Sequence, residues 1–135
     1  MSAGYCWQWT TKITPDMTTL PADVVIGQWS RPWNLYGDRS ALGAPVAPLW
    51  ATDPAGFGQV GYVYTAQGFE YDWSGVIIGP DLVWRTDRWV VIRSASKDPS
   101  FTKATPDDDV DRLIRNTYKV LLTPGLRRSR LTSVL

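Results

Sequence analysis

A chain of 135 residues with net charge +1, 8 Trp, 6 Tyr, 1 Cys and no His is long enough for one domain that buries roughly two thirds of its unfolded surface. The absence of histidine excludes Ser-His-Asp and Cys-His nucleophilic sites, a histidine proton shuttle and His-containing zinc centres, and lone Cys6 excludes an internal disulfide or a Cys-rich metal site. Charge is unevenly spread: residues 1–111 carry −5 and residues 112–135 carry +6, so the basic end either meets phosphates or stays solvated.

Residues 1–7 hold no basic region followed by a continuous apolar segment, so no secretory signal is expected. The longest uncharged stretch, residues 54–69, is broken by Gly and Gln and is no membrane span, which makes a cytoplasmic location without a membrane partner the expectation. The first β-rich run is Val24-Val25-Ile26. Residues 29–57 are crowded with Pro, Gly, Ala and Trp and read as a long irregular connection. Further β-rich runs follow at Gly61-Tyr62-Val63-Tyr64, Gly75-Val76-Ile77-Ile78 and Trp89-Val90-Val91-Ile92, the last joined to Leu82-Val83-Trp84 by a turn at Arg85-Thr86-Asp87-Arg88. Several are continuously apolar, which favours strands buried on both faces of a parallel α/β sheet.

The clearest helix runs from Thr105 to about Leu122. Thr105 suits the N-cap, Pro106 the first helical position, and Asp107, Asp108 and Asp109 complement the positive end of the helix dipole. Val110, Leu113, Ile114, Thr117, Tyr118 and Leu121 form one stripe at three- and four-residue spacing. Pro124-Gly125 stops the helix, the glycine accepting a left-handed cap. Residues 127–135 show neither a strand period nor a helix start.

None of the four lysines, Lys12, Lys97, Lys103 and Lys119, follows a glycine, so the chain lacks the Gly-Lys-Ser/Thr of a phosphate-binding P-loop. The four aspartates around Asp109 diverge around a helix and do not converge on an ion, so no metal site is expected. Tyr64-Thr65-Ala66-Gln67-Gly68-Phe69-Glu70 leads from a strand through a polar Gln-Gly turn to the only glutamate of the protein. Such a turn presents an amide, bare backbone and an acceptor where open α/β sheets bind ligands, or it is an ordinary connection with a surface acid. Trp29, Trp84 and Trp89 flank β-rich runs and are expected to pack. Trp7, Trp9, Trp33, Trp50 and Trp73 sit nearer Pro, Gly or polar residues, where partial exposure would let them stack on bases or sugars, although burial is the expectation for most of the tryptophans.

An ordered series then carries a resemblance: Ala3-Gly4-Tyr5-Cys6-Trp7; Val24-Val25-Ile26-Gly27 with Arg31-Pro32-Trp33-Asn34; Gln59-Val60-Gly61 through Thr65-Ala66-Gln67-Gly68-Phe69-Glu70-Tyr71-Asp72; Gly75-Val76-Ile77-Ile78-Gly79-Pro80-Asp81-Leu82; and Ile114-Arg115-Asn116-Thr117-Tyr118-Lys119-Val120-Leu121-Leu122-Thr123. The series resembles the C-terminal part of the Schlafen group 3-like DNA/RNA helicase domain family, a bacterial family of superfamily 1 helicase type. The resemblance implies a RecA-like lobe, an open, mostly parallel sheet with flanking helices over residues 1–123, followed by a divergent basic tail at 124–135. It implies that Gln67, Gly68 and Glu70 couple a nucleotide site to nucleic acid, that Arg115 is the first arginine of the last helicase motif, and that ATP and Mg²⁺ serve the parent enzyme. Tyr64, Thr65, Arg127 and Arg128 are the candidates for contact with DNA or RNA.

The family's pattern continues Thr-Arg-Gly, and that arginine reaches the γ-phosphate on the other lobe. Here Pro124 replaces it, removing a group that contributes on the order of 10³–10⁵ in turnover. A chain truncated or frameshifted beyond Thr123 is expected, with a P-loop lobe encoded separately or lost, no catalytic residue in isolation and a missing terminal strand. Two further readings stand beside it: a non-enzymatic aromatic-rich module binding nucleic acid or carbohydrate, and a nonfunctional remnant.

Overall fold

The computed structural model describes residues 1–133, and for residues 126–129, 131 and 133 the backbone alone. In chain order the strands are β1 (Ser2–Ala3), β2 (Val24–Ile26), β3 (Trp29–Arg31), β4 (Gly61–Tyr62), β5 (Tyr71–Ile78), β6 (Leu82–Arg85), β7 (Arg88–Val91) and β8 (Gly125–Ser133). The two α-helices are α1 (Val63–Ala66) and α2 (Asp107–Leu122). Four strands form the main sheet in the order β4-β1-β5-β8, and every neighbouring pair is parallel. Parallel neighbours cannot be joined by a tight hairpin. Accordingly α1 lies between β4 and β5, and α2 between β5 and β8. The class is mixed α/β with a parallel sheet, as the apolar runs imply.

Only part of those runs enters the sheet. β5 does, with Val76, Ile77 and Ile78 all buried. β2 pairs antiparallel with β3, and β6 antiparallel with β7 through the predicted turn at 85–88, as two separate hairpins. These runs have one face open to solvent: Val25 and Trp84 are about half exposed. The run at Gly61-Tyr62-Val63-Tyr64 is strand for two residues only, and Val63 begins α1.

The main sheet separates two apolar clusters. Val76 and Ile78 meet Val110, Ile114, Tyr118 and Leu121 of α2, with Val63 and Ala66 of α1. Ile77 and Ala3 meet Trp33, Val24 and Val60 on the other side, as the period-two alternation of a strand requires. Each aliphatic side chain so buried contributes roughly 1.5–3 kcal/mol. The stripe of α2 is narrower than its sequence spacing suggests, because Leu113 is 41% exposed. The helix starts at Asp107 with Pro106 at the cap and no side-chain cap bond. Thr105 instead accepts the Thr102 N–H (3.1 Å), and Arg93 binds the carbonyls of Thr102 and Thr105 and the carboxylate of Asp107 (2.6–2.7 Å). A cation from the β7 side thus fixes the loop that sequence assigns to a local cap.

The tryptophans follow their sequence contexts only in part, Trp73 being exposed as its context allows and Trp84 exposed against it. Trp33 and Trp50 are buried at 2% and 5%, whereas Trp84 and Trp73 are exposed at 49% and 67%. Proline and glycine neighbours mark irregular backbone, not exposure, and this irregular backbone carries Trp50 into the cluster on the α2 side of the sheet and Trp33 into the other.

The largest correction concerns the C-terminus. Gly125 does not form a left-handed cap; Thr123 closes α2 in right-handed helical geometry and Gly125 opens β8. β8 pairs with β5 from Tyr71↔Gly125 to Ile78↔Ser133, with a register irregularity between Tyr71 and Trp73. The terminal strand expected to be missing is therefore present as the sheet edge. Pairing with a long neighbouring strand overrides a sequence whose Arg and Ser content carries little β preference, and charge on an edge strand is a usual defence against unwanted pairing.

Candidate functional site

The segment from Tyr64 to Glu70 is positioned by residues far away in sequence. Buried Asn34 accepts the Tyr62 N–H (2.9 Å) and the Thr65 hydroxyl (2.8 Å) on one carboxamide oxygen, and the Trp50 indole donates to the Thr65 carbonyl (2.9 Å). Thr65 is thereby turned inward, while Tyr64 is 62% exposed and sits edge-on to Tyr62. Gln67 closes the single turn of α1 by donating its N–H to the Val63 carbonyl (3.1 Å) and leaves it in extended geometry. Gly68 follows at φ +86°, a left-handed conformation that favours glycine. Gln67, Gly68 and Glu70 are all exposed.

The turn does not sit at the carboxyl ends of the strands, where the sequence reading places it. Ser2 of β1 is level with Val76 of β5; Glu70 lies six residues before Val76, roughly 20 Å back along the strand at about 3.3 Å per residue. Residues 63–70 carry the chain back from the end of β4 to the start of β5. There the Tyr71 N–H donates to the Pro124 carbonyl (2.8 Å). The Gln-Gly-x-Glu turn and the Thr-Pro-Gly turn, 53 positions apart between Tyr71 and Pro124, are thus neighbours at the amino ends of β5 and β8.

Arg115 is not brought to this pair of turns by any bond among the described residues. Its guanidinium binds both oxygens of Asp111 (2.6 and 3.1 Å) and the Trp89 carbonyl of β7 (2.9 Å). The hydrogen bond from Arg115 holds the Asp111 carboxyl below its usual range, and the same bond raises the guanidinium. Arg115 therefore fastens α2 to the β6–β7 hairpin. Arg127 and Arg128 have their backbones in β8, close to the register irregularity opposite Asp72; their side chains lie outside the described residues.

A second cluster, which sequence reading did not single out, occupies the carboxyl ends of β1 and β5. The Tyr118 hydroxyl donates to buried Asp81 (2.5 Å) and accepts the Gly79 N–H (2.9 Å), and Cys6 packs against Gly79. A Cβ on Gly4 would collide with the Tyr118 hydroxyl, so this approach requires glycine. Burial pushes the Asp81 carboxyl, the Cys6 thiol and the Tyr118 phenol upward. The only advance signal was a Tyr in the helix stripe and a Gly-Pro-Asp after an apolar run. This cluster holds helix to sheet; a thiol kept protonated by burial is not poised as a nucleophile.

Among the described residues, no group of three His, Cys, Asp or Glu side chains could hold a metal ion, and no helix is long and apolar enough to cross a membrane. A parallel sheet bearing exposed turns at one end and a sealed polar cluster at the other defines an α/β domain of the kind that carries its chemistry on connecting loops. The sequence profile of the family described as Schlafen group 3, DNA/RNA helicase domain matches residues 1–130. The chain belongs to that family, and the match extends through Arg130 into β8. Comparison with curated proteins and with solved structures finds no match.

Proposed function

We propose that the chain is the C-terminal, RecA-like lobe of a helicase-like, nucleic-acid-dependent ATPase. It contributes one wall of a site completed by a P-loop lobe from a separate chain or segment. The observation that carries this reading is the Tyr71–Pro124 hydrogen bond, which sets the Gln67-Gly68-Glu70 turn beside the turn where the family's pattern has its arginine. In this reading Gln67 and Glu70 offer a carboxamide and a carboxylate to nucleotide and strand. The basic strand β8 supplies charge for DNA or RNA.

ATP with Mg²⁺ does not fit this chain by itself. The described side chains of residues 67–70 supply no cation for a triphosphate, Arg115 is engaged by Asp111, and proline occupies position 124. No catalytic step is therefore assigned to it alone. The purified chain is expected to show no ATP hydrolysis with or without single-stranded DNA or RNA; stimulated hydrolysis would refute the division of labour. Strand binding should be weak and should weaken as salt rises, with a log–log slope of about −0.7 per phosphate neutralised. A salt-independent affinity would remove the role given to the arginines. In a reconstituted two-lobe enzyme, Glu70→Gln should reduce strand-stimulated turnover without changing the melting temperature. Tryptophan fluorescence that responds to oligosaccharides and to no strand would favour the carbohydrate-binding reading, for which exposed Trp73 and Trp84 are the motive.

A further inference from the structure

Between the first half of β5 and residues 50–59 of the irregular segment opens a cleft of about 300 Å³, at the small end of the range for small-ligand sites. Its rim carries Phe57, 93% exposed, and Trp73, 67% exposed, with buried Trp50 also lining it. Two aromatic side chains left in water around one concavity are unusual for a monomeric surface. Polar groups line the same cleft: Gln59 is 5% exposed with its Oε1 buried and unpartnered, and the Tyr71 hydroxyl is likewise buried without a partner. Buried acceptors and hydroxyls of this kind are normally satisfied, so each such exception points to a missing partner. Phe69 stacks on the Tyr71 ring at 6.0 Å and 20°, which ties the cleft to the end of the Gln-Gly turn.

Charge at the cleft is mixed, an aspartate in the lining and an arginine at the edge. β8 runs along β5 with Gly75, a cleft residue, level with Arg130, and residues level in parallel strands project to the same face. Arg130 is exposed. Asp53 also lines the cleft, and one of its oxygens accepts the Ala55 N–H (2.8 Å). The arrangement therefore offers flat apolar surface, acceptors within and a guanidinium at the edge. That combination suits a planar heterocycle bearing N–H donors with a phosphate attached.

We propose that this cleft binds a nucleobase, seated against Phe57 and Trp73 with its donor edge toward Gln59 Oε1 and its phosphate toward Arg130. The site lies apart from Gln67, Gly68 and Glu70. It rests on the nucleic-acid part of the proposed function only for the expectation that the base belongs to a strand; a free nucleotide has the same chemistry.

The test titrates the full chain with a fluorescein-labelled single-stranded DNA dodecamer, its RNA counterpart, the four nucleoside monophosphates and N-acetyltryptophanamide. Binding is read by anisotropy for the labelled strands, by tryptophan quenching for the monophosphates and by titration calorimetry for N-acetyltryptophanamide, whose own indole emission masks the protein's. Phe57→Ala and Trp73→Ala alter exposed side chains, and melting curves check that both variants fold. Each should weaken strand binding roughly 5- to 150-fold, the span expected for loss of one base–aromatic stack, and Trp73→Ala should abolish most of the quenching. Arg130→Gln should weaken binding and reduce its salt dependence. Quenching by monophosphates as well would identify a free nucleotide as a sufficient ligand, and binding of strands alone would assign the base to a polymer. Strand binding that survives both aromatic variants unchanged but falls with Arg127→Gln/Arg128→Gln overturns the cleft and leaves the proposed function standing. Binding of no strand and no nucleotide, or of N-acetyltryptophanamide only, overturns the cleft.

Discussion

Tyr118→Phe isolates the polar cluster that locks α2 onto the sheet. The substitution keeps the ring and removes only the hydroxyl, which donates to Asp81 at 2.5 Å and accepts from the Gly79 N–H at 2.9 Å. Asp81 is 3% exposed and has no cationic partner in any described ion pair. A hydrogen bond to a charged acceptor contributes about 1.5–3 kcal/mol, and leaving the Gly79 N–H unpaired in the interior costs about 1–3 kcal/mol more. The combined loss is about 2.5–6 kcal/mol, which lowers the melting temperature by about 8–25 °C at this chain length. The loss also depends on pH. Burial raises the Asp81 pKa above its ordinary value, so the folded state binds that proton more tightly than the unfolded chain does. Its contribution to stability is complete below the ordinary aspartate value and is lost as pH rises through the raised folded value. Below that window Tyr118 faces a neutral acid, the bond is a neutral one, and Tyr118→Phe costs less. Thermal melts at pH 4 and pH 7 of the wild type, Tyr118→Phe and Asp81→Asn check this. Asp81→Asn retains an acceptor and removes the titration, so its stability should fall less from pH 4 to pH 7 than the wild type's. A Tyr118→Phe melting point within about 3 °C of wild type, or an Asp81→Asn pH dependence equal to wild type, would refute the account.

Asn34→Ala removes the acceptor shared by Tyr62 and Thr65 and opens a small cavity. A loss of about 2–4 kcal/mol in the unfolding free energy read from urea denaturation is expected, with faster proteolysis around residues 64–70. Gly68→Ala forces a β-carbon into φ +86° and should cost about 1 kcal/mol in chemical denaturation. Gly58→Ala, with open space around it and no left-handed backbone, should leave stability unchanged. Arg115→Ala breaks a half-exposed ion pair with Asp111 and the bond to Trp89; a loss of no more than about 1–2 kcal/mol is expected. In the reconstituted enzyme, a turnover loss larger than Glu70→Gln produces would mean that Arg115 leaves Asp111 to meet the nucleotide.

The extent to which sequence foretold these features follows from how local each one is. The helix of residues 107–122 was legible because proline, three aspartates and a three-to-four spacing act within a few turns. The family-like order of short motifs was legible too, since it needs no geometry. Val76, Ile77 and Ile78 announced a buried strand by apolar continuity alone. By contrast, Trp33 and Trp50 are buried by long-range folding of an irregular segment, and no local pattern separates them from exposed Trp73. Thr105 was a sound cap by local rule, yet its hydroxyl accepts the Thr102 N–H while Arg93 holds the Thr105 carbonyl from another element.

What the amino-acid sequence determined by itself is the α/β class, the helix, the exposed Gln-Gly turn and the departure at Pro124, because each depends on residue identity or short-range periodicity. Only the tertiary structure decided that the basic end is a strand, since its partner, β5, begins 54 residues before Gly125. Only the tertiary structure set Glu70 beside Pro124, moved Arg115 away to Asp111 and left Phe57 and Trp73 around one cleft. In each case the deciding contact joins residues distant in sequence, and its free energy comes from pairing and burial that exist only once the sheet has assembled.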